Sequence, residues 1–398
     1  MRCSRGISAA ALALANVVSA SLVHISAYTG NVTTYNLTAT TSEISTQAAL
    51  RSLDVSGGCG DYPSWLTLAG DILYCVNENW PDPKNGSLSS FRVGPEGQLT
   101  LLSNVTTLGG PVYAVIYGEG KGLAVADYGG GGINTFNISD PANITPVQAE
   151  VFTLTAPGAN PQRQDIPHPH QTIVDPTGNF LVVPDLGADL VRVFALDNAT
   201  LRYTQTTPLQ AATPGAGPRH GTFVKGPSKT FFYLVHELAN TLVGYEVTYN
   251  ADGKTLGFKE VHSSNTHGES AVLPNTTAAA EVIASPCGKF LTVSSRFDGT
   301  LTVPNYDPSN STAIPSDPLI TFSIDLDTGA LAHRQTRAAG GVNPRQFSFN
   351  RDGTLVGVGL QSDSRTVLIA RDPETGLLGD IVEAVSVVGL PNCVIFDE

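Results

Sequence analysis

A unit of about 50 to 65 residues recurs along this 398-residue chain, and a repeat of that length constrains the fold more than composition does. Each copy opens on a Pro and a short apolar run. A polar turn, usually containing Gly, leads into a second apolar run that ends on polar residues, and a Gly/Asn/Asp turn precedes a third, alternating segment. The copies begin at Pro63-Ser-Trp-Leu-Thr-Leu, Pro111-Val-Tyr-Ala-Val, Pro169-His-Gln-Thr-Ile-Val, Pro218-Arg-His-Gly-Thr-Phe, Ala280-Glu-Val-Ile-Ala and Pro344-Arg-Gln-Phe-Ser-Phe. Their second runs cover 72–78, 122–128, 180–186, 232–237, 290–296 and 355–360.

The two ends complete a seventh copy. Pro391-Asn-Cys-Val-Ile-Phe396 reads as a first strand with nothing after it, while 23–28 and 32–37 read as second and third strands with nothing before them. Pairing the C-terminal strand with the N-terminal ones closes a ring and hides edges that would otherwise be exposed. The expected fold is therefore all-β: a seven-bladed β-propeller, forming a single domain over residues 21–398 with no linker. The 40 Gly, 26 Pro and 14% charged residues suit short strands and tight turns, and closed β architectures often reach this length as one domain.

Residues 1–20 read as a cleaved secretory signal. Arg2 and Arg5 precede an Ala/Leu-rich run, and Val18-Ser19-Ala20 supplies small residues before the cut. The run is too short to span a bilayer and no other segment approaches that length, so the expectation is a secreted, extracellular or cell-wall protein with no membrane span. Nine N-x-S/T sequons, at Asn31, Asn36, Asn85, Asn104, Asn137, Asn143, Asn198, Asn275 and Asn310, suggest a glycosylated surface. Cleavage would remove Cys3 and leave Cys59, Cys75, Cys287 and Cys393, enough for one disulfide or two. The pairing stays open, with Cys59–Cys75 the first choice because the two flank one predicted hairpin.

Net charge is −13 and no basic stretch occurs, so no nucleic-acid partner is expected. Walker, dinucleotide and G-x-S-x-G signatures are absent, which argues against a nucleotide cofactor and a serine-hydrolase elbow. His168 and His170, two apart on a predicted strand, could share a metal, but no third ligand is evident and no metal is expected. A small-molecule partner and a monomer remain the simplest expectation.

In a propeller blade the start of the inner strand and the end of the second strand meet at one rim, because the two run antiparallel. The strand-one starts carry His168, His170, Arg219, His220 and Arg345; the strand-two ends carry Glu78, Asp127, Asp185, Glu237 and Arg296. Ionisable groups from several blades thus converge on one channel mouth, where they must pair with one another or bind something. A salt-bridge ring that merely closes the propeller is the plainer account; a polar binding pocket fits the whole set better.

The strings themselves resemble a known family. His168-Pro-His-Gln-Thr-Ile-Val-Asp-Pro-Thr-Gly, continuing through Val183-Pro-Asp-Leu-Gly-Ala-Asp189, resembles the central signature of the seven-bladed propeller lactonases, which include 6-phosphogluconolactonases and fungal carboxy-cis,cis-muconate cyclases. Ala126-Asp-Tyr-Gly-Gly-Gly131, Gly217-Pro-Arg-His-Gly221, His236-Glu-Leu238, Ser294-Ser-Arg296 and Asn343-Pro-Arg-Gln-Phe347 match its other blade motifs in order. The resemblance implies His170, Arg219 and Glu237 as catalytic residues, and His168, Asp185, Arg296 and Arg345 as substrate contacts. The chain departs from the family pattern at Asp127 and His236, where Asn is usual, at Ser295, and at Cys287, where Asp is usual.

The implied activity is opening, or formation, of a small lactone such as a sugar lactone. His170 would serve as general base or acid, Glu237 as its partner or the alternative base, and Arg219 as anchor for an oxyanion or carboxylate. Lactone hydrolysis and muconate cyclisation draw on the same residues. The alternative reading is a non-catalytic secreted glycoprotein that binds a ligand through the same propeller.

Overall fold

The computed structural model describes residues 17–41, 46–80, 84–251, 253–268 and 271–398. Seven antiparallel blades surround a channel, six of them four-stranded and blade 4 carrying a short fifth strand, Leu209–Gln210, and the ring closes as the repeat predicts. In blade 1 the C-terminal strand Pro391–Asp397 is innermost and pairs with Val17–Ala27, which is followed by Asn31–Thr41 and Thr46–Ser56. Blades 2, 3, 5 and 7 have the inner strands Pro63–Ala69, Pro111–Tyr117, Pro218–Lys225 and Pro344–Phe349. In blade 6 the inner strand is Ala278–Ala284, and a small hairpin, Leu301–Val303 with Ile314–Ser316, is inserted between its second and third strands. Most of the expected leader, residues 1–16, lies outside the described residues; Val17–Ala20 form the first rungs of the blade 1 strand.

Blade 4 departs from the expectation. His170 does not open a regular inner strand: regular pairing is confined to Ile173–Val174, preceded by a single bridge between Pro169 and Asp185. Pro167 and Pro169 cannot donate to a ladder, so the segment stays extended. It is tied down by His170 N–H to Pro184 O (2.9 Å) and Leu186 N–H to His168 O (3.0 Å).

The second strands read as unbroken apolar runs because both of their faces are buried. In Thr230–His236, Phe231, Tyr233 and Val235 pack toward blade 6, while Phe232 and Leu234 pack toward blade 4. Seven apolar clusters result among the described residues, one at each blade–blade interface. The cluster between blades 1 and 2 contains a Cys59–Cys75 disulfide, the expected pairing, with Cys393 buried beside it as a thiol; Cys287 is exposed and unpaired. No helix among the described residues is long and apolar enough to cross a membrane.

Candidate active site

One irregularity, repeated in every blade, builds the site. At or near its start, each inner segment carries one residue more than its neighbour. Thus Pro218 pairs with His236 but His220 with Val235, and Pro344 pairs with Leu360 but Gln346 with Gly359. The same slip occurs at Pro63/Trp65, Pro111/Tyr113, Pro391/Cys393 and Ala279/Val282, and between the Pro169 bridge and Ile173. A bulge turns its extra side chain out of the pleat. Here it turns Ser64, Val112, His170, Arg219, Arg345 and Asn392 into a ring around a constriction of about 10 Å³, room for one water at most. The blade 6 counterpart is Ala280, and the gap it leaves is filled by Arg219, whose Nη1 donates to the Ala280 carbonyl at 2.6 Å.

The loops that carry these residues are held from the preceding blade. Asp189 accepts from the amides of Gly215 (2.5 Å) and Gly217 (2.9 Å), just ahead of Arg219. Gly217 has φ +67°, and a Cβ there would lie 2.6 Å from Leu238 Cγ, so glycine is required. Asp317 plays the same part for two arginines, accepting from the amides of Phe297, Asp298 and Gly299 after Arg296 and from Asn343 before Arg345.

Glu237, at the end of the blade 5 second strand, is buried and gathers three guanidinium groups. Arg163 Nη2 donates to Oε1 at 2.6 Å, and Arg219 Nε and Arg296 Nη2 reach Oε2 at 2.8 and 3.0 Å. Burial alone would raise this carboxyl; Arg296, Arg219 and Arg163 outweigh it and hold it well below the usual carboxylate range. Burial, then Arg296, pulls Arg219 down to about 9, which leaves it charged at neutral pH. Glu237 is therefore a permanent anion organising cations and is not the partner of His170.

His170 has a different partner. Its Nδ1 lies 3.1 Å from His220 Nε2, and His220 Nδ1 lies 2.8 Å from Glu281 Oε1. Burial, followed by Arg219, His220 and Arg345, holds His170 well below the ordinary imidazole value, so its ring is neutral near pH 7. Nε2 of His170 has no hydrogen-bond partner among the described residues.

Above the constriction a cavity of about 190 Å³ opens at the channel mouth, lined among others by Glu78, Tyr128, Arg163, His170, Arg296 and Arg345. Arg345 makes no hydrogen bond or ion pair within reach among the described residues; its guanidinium lies 6.0 Å from the Tyr28 ring. Tyr28 donates its hydroxyl to Glu78. Burial raises the Glu78 carboxyl, opposed by Arg345. The mouth thus holds two carboxyl groups driven in opposite directions, an arrangement that separates a proton donor from a fixed charge.

The structure brings His170, Glu237, Arg296 and Arg345 to this cavity and places Arg219 beneath it, buried between Glu237 and Ala280. His168 and Asp185, expected to contact substrate, face protein instead. His168 stacks on Tyr128 at 4.2 Å, reaches the Tyr128 carbonyl through Nδ1 and Asp165 through Nε2, and its amide donates to Asp185. Asp185, wholly buried, is also paired with Arg192 at 2.8 Å. Both ring nitrogens of His168 are engaged by protein, whereas only Nδ1 of His170 is, and no group of three or more His, Cys, Asp or Glu placed to hold a metal occurs among the described residues. Sequence reasoning does not single out Arg163, which binds Glu237, or Glu281, which binds His220. Arg163 comes from a non-repetitive stretch between blades 3 and 4, and Glu281 follows the one inner-strand start without Pro at its first position, so neither carries a pattern signal.

Known proteins share this architecture. The sequence profile of the family described as "Lactonase, 7-bladed beta-propeller" matches residues 23–396. A protein of Arthroderma benhamiae named "Probable 6-phosphogluconolactonase" is 31% identical over 336 residues, covering 83% of this chain and 79% of that protein. A 6-phosphogluconolactonase of Formosa agariphila is 28% identical, covering 84% of this chain and 88% of its own length. Among solved structures, the periplasmic gluconolactonase PpgL of Pseudomonas aeruginosa aligns over 96% of this chain and 99% of its own with a TM-score of 0.76 at 25% identity. The chain belongs to the seven-bladed β-propeller lactonase family.

Proposed function

We propose that this protein hydrolyses a small lactone of the sugar-lactone kind at the channel mouth. The observation that carries this reading is that one small cavity is lined by both His170, whose Nε2 has no hydrogen-bond partner among the described residues, and Arg345, whose guanidinium makes no hydrogen bond among them. Relatives named 6-phosphogluconolactonase support the same chemistry. A volume of about 190 Å³ suits a small polar ligand and not a polymer. Arg163, Arg296 and Arg345 around a single fixed carboxylate favour a substrate with an acidic substituent.

In this reading His170 Nε2 takes a proton from water, whose oxygen attacks the lactone carbonyl carbon. Arg345, supported by Arg296, stabilises the negative charge that develops on the carbonyl oxygen. The ring C–O bond then breaks, and the leaving alkoxide recovers the proton from His170. Glu78 stands by as a second proton donor. The test is a panel of sugar and aliphatic lactones assayed by acid release: turnover of at least one is expected, and binding without turnover would favour the ligand-binding alternative.

Secretion belongs to the same proposal. Its support is the leader-like residues 1–20, the Cys59–Cys75 disulfide, and sequons exposed at Asn85, Asn104, Asn143, Asn275 and Asn310. Sequencing the N-terminus of the protein recovered from culture medium should give Ser21 as first residue, on a chain whose mass falls with glycosidase treatment.

A further inference from the structure

We propose that His220 and Glu281 are positioning residues that set the tautomer of His170 and disperse the charge it gains when it takes a proton. This rests on the lactonase reading for what His170 acts on, whereas the tautomer itself does not.

The direction of the chain follows from its far end. Glu281 Oε1 accepts both the His220 Nδ1–H, at 2.8 Å, and the Val282 amide, at 3.0 Å, so His220 Nδ1 is the donor. A second proton on His220 Nε2 would place an imidazolium in a buried site, and burial lowers the His220 pKa despite the opposing pull of Glu281. His220 Nε2 is therefore an acceptor. The group 3.1 Å from it, His170 Nδ1, must then carry the hydrogen, which leaves the His170 Nε2 lone pair at the cavity. Trp65 and Tyr113 pack against the His220 ring, with centroids at 5.9 and 5.5 Å and near-perpendicular planes, and fix its orientation.

Glu281 is costly for a purely structural residue. It is 1% exposed, and its second oxygen, Oε2, has no hydrogen-bond partner. Its chemical value lies in the surroundings of His170. Arg219 and Arg345 face the histidine pair from blades 5 and 7 and oppose protonation of either ring; Tyr113, Cys393 and Glu78 face the chain from blades 3, 1 and 2. Glu281 supplies the compensating negative charge. As water loses a proton to His170 Nε2, the Nδ1–H bond to His220 strengthens and the new positive charge is shared toward Glu281. When the alkoxide recovers that proton, the chain returns to its starting state with no net transfer.

Two measurements test this. Nitrogen NMR of the full chain labelled at histidine, near pH 7, should show His170 and His220 each protonated at Nδ1 and bare at Nε2. His170 bare at Nδ1 and protonated at Nε2, or an imidazolium at either residue, would overturn the proposal whether or not any lactone is turned over. In Glu281→Gln the amide oxygen can still accept from Val282 and His220, so shape is kept and charge is lost. The kcat of that variant should fall about 10- to 100-fold with KM nearly unchanged, and the acidic limb of its kcat/KM profile should move to lower pH by about one unit. A variant that melts earlier but keeps the wild-type pH profile and kcat would make Glu281 structural only. A wild-type chain inactive on every lactone would defeat the lactonase reading and leave the NMR result to decide the relay.

Discussion

Arg219 and Glu237 are bound across one hairpin of blade 5: Nε of the first lies 2.8 Å from Oε2 of the second, and both side chains are buried. The pairing of Pro218 with His236 puts them side by side at the rim, and Arg163 and Arg296 converge on the same carboxylate. Three cations thus depend on one anion. Glu237→Gln keeps the volume and removes the charge, leaving the guanidinium groups to repel one another around a buried side chain. Denaturant unfolding at pH 7 should show a loss of about 3–5 kcal/mol, the usual result of breaking a buried pair from one side. A loss below about 1 kcal/mol would mean that the cluster contributes no stability.

Two buried carboxyls give opposite pH dependences. Glu237 lies below its ordinary value of 4.5 in the folded chain, so its stabilisation is fully present above about pH 4.5 and is lost as the pH falls. Asp127 is pushed well above its ordinary 3.8 by burial, and Thr107, whose hydroxyl donates to the Leu108 carbonyl at 2.7 Å, eases this only partly. Its folded form is favoured while protonated, so stability declines as the pH rises through its folded pKa. Asp127→Asn, which restores the residue usual in the family pattern, should stabilise the protein by about 1–3 kcal/mol at pH 7 and by much less near pH 3. Unfolding midpoints of the variant and the parent at both pH values check this; an equal difference at the two would contradict it.

The fold was legible because seven Pro-led or equivalent inner-strand starts, and second strands buried on both faces, leave a strong pattern of apolar runs and turns. The site was legible in part for the same reason. The residue after the leading Pro is the bulge residue, so His170, Arg219 and Arg345 could be placed at the channel from their position at the strand starts, while Ser64, Val112 and Asn392 join the ring only in the structure. Direction could not be read the same way. Strand alternation does not distinguish His170, which faces the cavity, from His168, which stacks on Tyr128, because the bulge and the prolines break it. Partners were also hidden. His170 meets His220 and Glu281 across two blade interfaces, a contact set by the ring's closure and not by any local spacing.

Ring closure is testable by deletion. Asn392 accepts from Ser26 Oγ and donates to the Pro63 carbonyl, each at 2.6 Å, so the last strand ties blade 1 to blade 2. Removing residues 390–398 should expose the edges of both blades and unfold the domain as a whole. Limited proteolysis should then degrade the truncated chain throughout. A stable fragment of about half its length would contradict a single closed ring.

The proposed function makes His170 the base of a lactone-opening site at the channel mouth. The direct test is acid release from a panel of lactones by the parent chain and by His170→Ala, with unfolding free energies measured on the same samples. The parent should open at least one lactone. His170→Ala should lose about 10²- to 10⁴-fold in turnover per folded molecule, with a stability loss of about 1–3 kcal/mol from the buried His220 Nε2 left without its partner. A His170→Ala protein as active as the parent, or a folded parent that opens no lactone, would contradict the claim.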